Sequence, residues 1–162
     1  MATYLYIHDI KGSVTASNHK DWIEISSFSF QMNRYINTLP GQIYDRESSR
    51  PSISEIEISK KIDNSSVLLF QQSCTGKVIS NITIDLCQTN QHTNAYAQIQ
   101  LYNIIISKYA LFFENRDNNT RPVENISLSF DKIEYRYTPY NRDNQAQSPL
   151  TSGYDLKNAS II

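Results

Sequence analysis

Hydrophobic and polar residues alternate over several stretches of the chain, and this period predicts β-strands. Alternation puts every second side chain on one face of a strand, so that one face packs against a core while the other meets water. Polar segments rich in Asn and Ser separate the stretches, as turns and loops do. The pattern predicts strands over residues 4–8, 22–32, 53–60, 78–88, 96–109 and 123–138, and a short apolar tail over 153–162.

Two of these strands change the face that carries their apolar residues. In the second strand, Ile23 and Ile25 have one parity and the apolar residues over 28–32 have the other, and the last long strand changes in the same way. One extra residue in a β-bulge reverses the parity, so we expect bulges near Ser26-Ser27 and near Asp131-Lys132. The unbroken run Ile104-Ile105-Ile106 predicts burial on both faces of its strand.

One block of different character, residues 59–77, predicts the single α-helix. Asp63, Asn64 and Ser65 are all candidate N-caps, because their side chains accept hydrogen bonds from the first free N–H groups of a helix. Gly76 suits the left-handed position at which helices end. Four apolar residues recur at helical spacing, and we expect them to form the packed face: Val67, Leu68, Phe70 and Cys74.

The order of elements predicts the fold class. The 162 residues favour one domain, residues 1–162. We expect a mainly β protein, an antiparallel β-barrel of two sheets, closed or nearly closed, with one flanking α-helix. A long extended loop over 33–52 and a C-terminal tail over 140–162 lie outside the regular pattern, and loops of such length are often functional.

Charge and composition exclude several classes of partner. With 15 basic and 16 acidic residues the formal net charge is −1, which argues against general binding to nucleic acid or to anionic membranes. The apolar runs are too short for a membrane insertion, and the N-terminus lacks the features of a cleaved signal peptide. Cys74 and Cys87 fit buried, reduced thiols better than a disulfide framework.

Catalytic and metal-binding patterns are absent from the sequence, so we predict no enzyme, no cofactor and no metal. The three histidines, His8, His19 and His92, do not accompany a nucleophile motif, and His19 more simply shapes a loop. Two Ser-x-x-Lys matches, at 17–20 and 129–132, are expected by chance. The two cysteines and the histidines lack metal-ligand spacing.

Six short motifs occur in a specific order along almost the whole chain. They are Lys11-Gly12-Ser13, residues 19–30, the helix block with Lys60, Ile62-Asp63 and Thr75-Gly76-Lys77, residues 122–130, residues 133–137, and Gly153-Tyr154-Asp155-Leu156-Lys157-Asn158. In this order they resemble the haemolysin-coregulated protein (Hcp) family, the tube protein of bacterial type VI secretion. One departure is the loop over 34–46, which has a single glycine where relatives are often glycine-rich.

The resemblance implies a structural tube subunit that forms a homo-hexamer. It implies that rings stack into a tube inside a contractile sheath, and that the tube is expelled with a spike (VgrG-like) and effector proteins carried in the lumen. The implied location is the bacterial cytoplasm before firing, then outside the cell or inside a target cell, without a cleaved signal peptide. We expect polar faces of the parity-changing strands to line the lumen.

Charged strand faces have a simple interpretation within this family. Glu55 and Glu57 share one strand face and would be solvated or lumen-facing, while a mixed-charge outer face is expected from Glu124, Lys132, Glu134 and Arg136. We expect the helix and the barrel edges to make the contact within a ring. The loop over 33–52 and the tail over 153–162 would make the contact between rings.

Six residues are the candidates for the contact between rings, because Tyr and Arg bury much area and still hydrogen-bond. They are Arg34, Tyr35, Tyr44, Arg46, Tyr154 and Leu156. For Tyr35 and Tyr44, simple packing on their own barrel is an equal alternative. Two other functions stay open: a monomeric β-barrel binding module for a protein or carbohydrate ligand, and a small hydrolase, for which the sequence offers no nucleophile–base pair.

Overall fold

A computed structural model describes residues 1–36, 38–41, 49–88, 94–114, 120–143 and 145–162. These residues form twelve strands and one helix. In chain order they are β1 (Ala2–Ile7), β2 (Ile23–Ile25), β3 (Ser27–Ser29), β4 (Met32–Arg34), β5 (Pro51–Ile53), β6 (Ile56–Lys61), α1 (Ser66–Thr75), β7 (Ile79–Cys87), β8 (Ala95–Phe112), β9 (Val123–Ser129), β10 (Lys132–Tyr137), β11 (Leu150–Asp155) and β12 (Ser160–Ile161).

Two antiparallel sheets enclose the core and share the long strand β8. Sheet A has the order β12-β11-β10-β8-β7-β1-β2, and sheet B has the order β3-β6-β9-β8. Because β2 continues through Ser26 directly into β3, the path of strands returns to its start through the chain itself. The predicted two-sheet, nearly closed antiparallel barrel with one helix is therefore confirmed.

The two expected bulges are corners at which the chain moves from one sheet to the other. At Ser26 the chain leaves β1 and joins β6, and the Ser26 N–H donates to the Ser59 carbonyl at 2.8 Å. At Phe130-Asp131 the chain leaves sheet B and enters sheet A, and the Asp131 N–H donates to the Tyr102 carbonyl at 3.1 Å. The register shifts instead lie at Leu86/Cys87 and at Ile106/Lys108.

The core is built almost entirely from branched aliphatic side chains on the inner faces of both sheets. Ile104 and Ile106 are buried, but Ile105 is 40% exposed, so the predicted burial of both faces at this run is wrong. Buried and exposed side chains still alternate along this run, because β8 no longer pairs with β7 there and packs against the core only through its inner face. The largest fully buried aliphatic residues are Leu5, Ile23, Ile56, Leu69, Ile82, Ile84, Leu101, Ile104, Ile126 and Leu128.

The extended loop begins and ends in a small ladder of its own. Strands β4 and β5 pair antiparallel, with Met32 opposite Ile53 and Arg34 opposite Pro51. The predicted strand over 53–60 is therefore divided, because Ile53 belongs to this ladder and the sheet B strand begins at Ile56. This two-stranded ladder is separate from both sheets, so the described ends of the loop pair with each other rather than with the barrel.

Helix α1 is capped by Asp63 and ends at Gly76. The Asp63 carboxylate accepts the Ser65 N–H at 2.9 Å, and the Asp63 N–H donates to Ser66 Oγ at 2.9 Å, whereas the Ser65 side chain makes no cap bond. Gly76 has the left-handed φ of 61°, and its N–H donates to the Gln72 carbonyl at 3.0 Å. One of the three cap candidates therefore performs the predicted role.

The predicted packed face of α1 points to water. Val67 is 76% exposed and Phe70 is 53% exposed, and Cys74 is also exposed, while the buried residues of the helix are Ser66 and Leu69. The spacing of apolar residues correctly identified a stripe on one side of the helix. The direction in which this stripe points is set by the contacts that the opposite side of the helix makes with the barrel. That opposite side covers a buried ion pair.

Lys60 and Glu124 form this pair beneath the first turn of α1. Both side chains are fully buried, and the two residues stand opposite each other in the β6–β9 ladder. Lys60 Nζ donates to Glu124 and also to Asp63 Oδ1 at 2.9 Å, while Glu124 accepts hydrogen bonds from Ser66 and from Tyr109. Glu124 was expected on the mixed-charge outer face, and that expectation is wrong.

Every charged group in this cluster has an oppositely charged or hydrogen-bonding partner. Because these partners come from the helix and from three strands, the cluster holds the helix to those strands. Burial, then the hydrogen bond to Glu124, raises the pKa of Tyr109, so its hydroxyl remains a donor at neutral pH. Lys132, Glu134 and Arg136 do lie on the outer face, where Lys132 pairs with Glu134 at 2.8 Å.

We predict that Lys60→Met lowers the free energy of unfolding by about 3–5 kcal/mol, because it leaves the Glu124 carboxylate buried without its cation. Lys61→Met is the matched control, since Lys61 is the next residue of the same strand and is exposed. Chemical denaturation at one protein concentration measures both. The double variant Lys60→Met with Glu124→Gln should recover part of the loss. Equal stability of the Lys60 and Lys61 variants would contradict a stabilising role for the pair.

Candidate functional site: an apolar groove between the extended loop and the tail

An open groove of about 530 Å³ separates the base of the extended loop from the C-terminal strands. Strands β4 and β5 form one wall, and β10, β11 and β12 form the other. The volume is within the range of about 300–1,000 Å³ that encloses ligands or inserted side chains. This loop–tail groove is lined by Phe30, Met32, Asn33, Arg34, Pro51, Ile133, Tyr135, Ser152, Gly153, Tyr154 and Ile161.

Most of the groove surface is apolar and open to water. Met32 is 55% exposed, Tyr135 is 51% exposed and Ile161 is 80% exposed. Ile133, Tyr135 and Tyr137 share the parity that was expected to face the core, yet only Ile133 is buried. Sheet A extends beyond the core at this end, so its inner face continues as an uncovered surface. Exposed apolar surface of this kind is typical of a contact site.

Gly153 sets the distance between β11 and β10 at the floor of the groove. It stands opposite Glu134 in the ladder, and a Cβ atom at this position would lie 2.8 Å from the Ile133 carbonyl oxygen. Since a larger residue would push the two strands apart, glycine permits the close approach. The Gly153 N–H and carbonyl also pair with Ile162, at 3.3 and 3.0 Å, which holds β12 against β11.

The turn between β11 and β12 is organised by Asp155. Its carboxylate accepts the backbone N–H groups of Lys157 and Asn158 at 2.9 and 3.0 Å, and the Asn158 side-chain amide at 2.7 Å. Hydrogen bonds from Asn158 lower the pKa of Asp155, because they favour the ionised carboxylate. This turn returns the chain so that Ile161 reaches the groove.

Two of the six predicted contact residues line the groove together. Arg34 comes from the loop wall and Tyr154 from the tail wall. Tyr35 follows Arg34 but is 80% exposed and outside the lining, so it does not cover its own barrel as the alternative interpretation required. Leu156 is 36% exposed, and its N–H donates to the Asp131 carbonyl at 2.8 Å.

Tyr44 and Arg46 lie outside the described residues. The groove residues that the sequence analysis did not select as contacts are Phe30, Met32, Asn33, Pro51, Ile133, Tyr135, Ser152, Gly153 and Ile161. For some of them the sequence did contain a signal. Apolar residues alternate over 28–32 and over 133–137, which places the apolar residues of each segment on one face of its strand. Nothing in the sequence showed that these two faces meet across a groove rather than within the core.

A second exposed apolar surface lies on α1 and the end of β8. Phe70 packs edge-on against Tyr109, with ring centroids 5.7 Å apart, so the helix stripe and β8 are continuous. Leu111, Phe112 and Phe113 are each more than half exposed. This helix–β8 surface is formed by Val67, Phe70, Cys74, Leu111 and Phe113. Phe112 has the parity of Lys108 and Ala110 and lies on the opposite face of β8.

The outer face of sheet B is polar instead. Strand register places two rows of side chains across its four strands, and every member is small or polar, while the end of the face beyond these rows carries Phe112 and Val123. The first row is Ser29, Glu57, Ser127 and Lys108, and the second is Ser27, Ser59, Asn125 and Ala110. Glu57 lies in this face as expected, while Glu55 accepts a hydrogen bond from Ser107 Oγ at 2.7 Å.

A buried histidine cluster joins the loop that contains His19 to sheet A, in an arrangement that does not activate a nucleophile. His19 Nε2 lies 3.0 Å from Asp85 Oδ2 and 3.8 Å from Cys87 Sγ, while Tyr4 stacks on the ring. An activating histidine contacts the nucleophile through one ring nitrogen and its carboxylate through the other. Here both partners meet the same nitrogen, and burial, then Asp85, raises the pKa of Cys87 to about 11. The cluster fastens the loop that contains His19 to sheet A.

Within the described residues, no three His, Cys, Asp or Glu side chains form a group that could hold a metal ion. In the same part of the chain, no helix has the length and apolar character needed to cross a membrane.

Comparisons with known proteins agree on one family. Residues 4–137 match the family model described as "Type VI secretion system effector, Hcp". A structure of a type six secretion system protein superposes with a TM-score of 0.92 at 19% identity, covering 99% of both chains. Hcp1 from Salmonella typhimurium superposes at 0.79 with 20% identity, covering 99% of this chain and 98% of that one.

A type VI secretion system effector from Yersinia pestis gives a TM-score of 0.73 at 22% identity, covering 94% of this chain and 98% of that one. At these identities the structural likeness shows the fold. A search of curated proteins gives no match to the sequence.

We predict that Gly153→Ala separates β11 from β10 and loosens the tail, because the added Cβ would meet the Ile133 carbonyl. Hydrogen exchange of the amides over 150–162 should become faster, while exchange in the core strands changes little. Ser152→Ala is the control, since Ser152 is exposed on the same strand. Unchanged exchange in the Gly153 variant would contradict the close approach.

We predict that Cys74 reacts quickly with a thiol reagent at pH 8 and that Cys87 stays protected, because only Cys74 is exposed. Buried, reduced Cys74 was expected, and the exposed position corrects that expectation.

Burial, then Asp85, raises the pKa of the Cys87 thiol from its ordinary value of 9.0 to about 11 in the folded protein. The Cys87 contribution to stability is therefore complete below pH 9 and is lost as pH rises through 11. Denaturation midpoints measured across this range, with Cys87→Ala as reference, test the sign.

Proposed function

The chain belongs to the Hcp family of type VI secretion proteins, and from this premise we propose that it is the subunit of a hexameric tube. Rings of six copies stack into the tube, and the tube is expelled with effector proteins held in its lumen. The mechanism is self-assembly and cargo binding, without catalysis. The single observation that supports this proposal most strongly is the architecture of sheet B.

Sheet B has an open edge on each side in the described part of the chain. Strand β3 pairs only with β6, and β8 beyond residue 105 pairs only with β9. An open edge presents unpaired main-chain groups to another strand. If the β8 edge of one copy meets the β3 edge of the next, the contact is heterologous, and a rotation that closes gives a ring.

The polar rows of sheet B then become the lumen wall. Joining the edges places β8 of one copy beside β3 of the next, so the polar rows of the two copies continue around the ring. Such a wall carries both signs of charge, from Glu57 and Lys108, and offers hydroxyl groups that accept or donate hydrogen bonds. It therefore suits transient contact with different protein cargoes rather than permanent burial.

The helix–β8 surface supports the same contact from the outer side. Its exposed apolar side chains adjoin the open edge of β8 through the Phe70–Tyr109 contact. A neighbouring copy paired at that edge would cover them, which removes apolar surface from water. We therefore assign the contact within a ring to this surface and the contact between rings to the loop–tail groove.

The proposed partners follow from assembly and export. A sheath surrounds the stacked rings, a spike (VgrG-like) protein stands at the tip, and effectors occupy the lumen. The protein is in the bacterial cytoplasm before firing and is then delivered outside the cell or into a target cell. The one-domain organisation over 1–162, with loop 33–52 and tail 140–162, belongs to the same proposal.

The test is the solution mass by light scattering after size exclusion, over a range of protein concentrations. The proposal expects the mass of six chains, with rings visible by negative-stain microscopy. A strict monomer at every concentration contradicts it and favours the monomeric binding module, whose ligand would occupy the Tyr-containing groove.

We predict that Phe70→Asp converts the ring to smaller species, because a carboxylate would have to be buried in the contact. Circular dichroism should stay unchanged, since Phe70 is half exposed in the single chain. Thr15→Asp, at an exposed loop position, introduces the same charge elsewhere and should leave the mass unchanged. A six-chain mass for the Phe70 variant would remove α1 from the contact.

A further inference from the structure

We propose that a small cavity on the outer face of sheet A binds a carboxylate group, presented by an Asp or Glu side chain in an acidic segment of another protein. The cavity has a volume of about 170 Å³ and lies where the end of β10 meets the start of β8. This β8–β10 cavity is separate from the loop–tail groove, the helix–β8 surface and the polar rows of sheet B. It is lined by Ala95, Tyr96, Ala97, Gln98, Arg136 and Thr138.

Strand register places the polar side chains of the cavity side by side. Arg136 stands opposite Gln98 in the β10–β8 ladder. The Thr138 N–H donates to the Tyr96 carbonyl at 2.8 Å, which continues the ladder by one more pair. Side chains alternate along a strand, and Ala97, between Tyr96 and Gln98, is buried in the core. The four polar side chains therefore share the face that points away from the core.

Charged and amide groups elsewhere on this face bond with one another. Gln98 Nε2 donates to Asp85 Oδ1 at 2.8 Å, and Asp85 Oδ2 lies 3.0 Å from His19 Nε2. Further along β10, Lys132 pairs with Glu134 at 2.8 Å. These groups therefore have little hydrogen-bonding capacity left for a partner.

Arg136 differs from these groups, because it is exposed and its charge is unpaired. In the part of the chain that the structure describes, its guanidinium makes no ion pair or hydrogen bond, and the hydroxyl groups of Tyr96 and Thr138 make none either. Three donors without an acceptor thus line one cavity, and an oxyanion supplies acceptors for all of them. The guanidinium also presents its N–H groups in a fork that matches a planar carboxylate.

Charge balance favours a carboxylate over a phosphate. Arg136 supplies one uncompensated positive charge, while the Asp85 carboxylate lies in the same row of side chains, two strands away. Because like charges repel, a divalent phosphate would meet more repulsion from Asp85 than a carboxylate with a single charge. The cavity is smaller than most ligand pockets, so it accommodates the end of one side chain rather than a larger ligand.

Fluorescence anisotropy with a labelled hexaglutamate peptide tests the inference, at pH 7 and constant ionic strength, with the full-length protein as titrant. We expect saturable binding that Arg136→Gln weakens about tenfold or more, because a charge-assisted contact is lost. Arg136→Lys should recover only part of the affinity, since an ammonium keeps the charge but lacks the fork. Arg121→Gln is the matched control, because Arg121 is exposed and outside the cavity lining, and it should bind like the wild type.

Two variants without a charge change locate the contact in the cavity. Tyr96→Phe and Thr138→Val each remove one hydroxyl group, and each should weaken peptide binding roughly threefold or more. If both variants bind like the wild type and only Arg136→Gln loses affinity, the attraction is general to the charge, and the inference is overturned. Equal losses in Arg136→Gln and Arg121→Gln overturn it as well.

Competition identifies the anion that the cavity takes. Acetate should displace the peptide at a lower concentration than inorganic phosphate does, with ionic strength held constant by sodium chloride. Displacement by phosphate at the lower concentration indicates a phosphate site and overturns the assignment to a carboxylate. A folded wild-type protein that shows no saturable peptide binding overturns the whole inference. None of these results depends on the number of chains in the assembly, so the proposed ring is tested separately by the solution mass.

Discussion

The ion pair between Lys60 and Glu124 is the interaction on which the rest of the structure depends. A lysine ammonium excluded from water is stable only when its charge and its hydrogen bonds are satisfied, and here Glu124 and Asp63 do so. The pair crosses the β6–β9 ladder, reaches β8 through Tyr109 and reaches α1 through Ser66. One buried cluster therefore fixes the register of sheet B and the position of the helix upon it.

The position of α1 determines which surfaces remain for assembly. Because Ser66 and Leu69 face the barrel, the apolar stripe with Val67 and Phe70 must face outward. The same helix covers the inner side of sheet B near β8 and leaves the edge of that strand open. In the described part of the chain, sheet B has two open edges and a mostly polar face, and two apolar surfaces are exposed, which are the features of a repeating subunit. The two apolar surfaces differ in place and in composition, which allows one contact around the ring and another along the tube.

Local pattern was sufficient to predict the long strands, the helix ends and the class of fold, but not the β4–β5 ladder. Gly76 was identified by sequence alone, whereas Asp63 was one of three cap candidates and the structure selects it. The corners at Ser26 and at Phe130-Asp131 were visible as parity changes. Whether a parity change is a bulge or a move between sheets depends on which distant strand pairs next, and one sequence does not contain that information.

The candidate site was harder to predict from the sequence, because it also depends on which distant strands lie side by side. Glu124 resembles a surface carboxylate until Lys60 and Tyr109 are known to lie beside it. Tyr135 has the parity of a core residue but lies beyond the end of the core. Arg34 and Tyr154 were selected on chemical type, and the fold explains their meeting by the approach of β4 to β11 across the groove.

The most direct measurement is a cryo-electron microscopy reconstruction of the assembled ring. We expect the β8 edge of each copy to lie beside the β3 edge of its neighbour. Ser59 and Asn125 should then face the lumen, and Phe70 should be covered by the adjacent copy. A ring in which α1 lines the lumen, or in which both edges of sheet B stay unpaired, would contradict this arrangement.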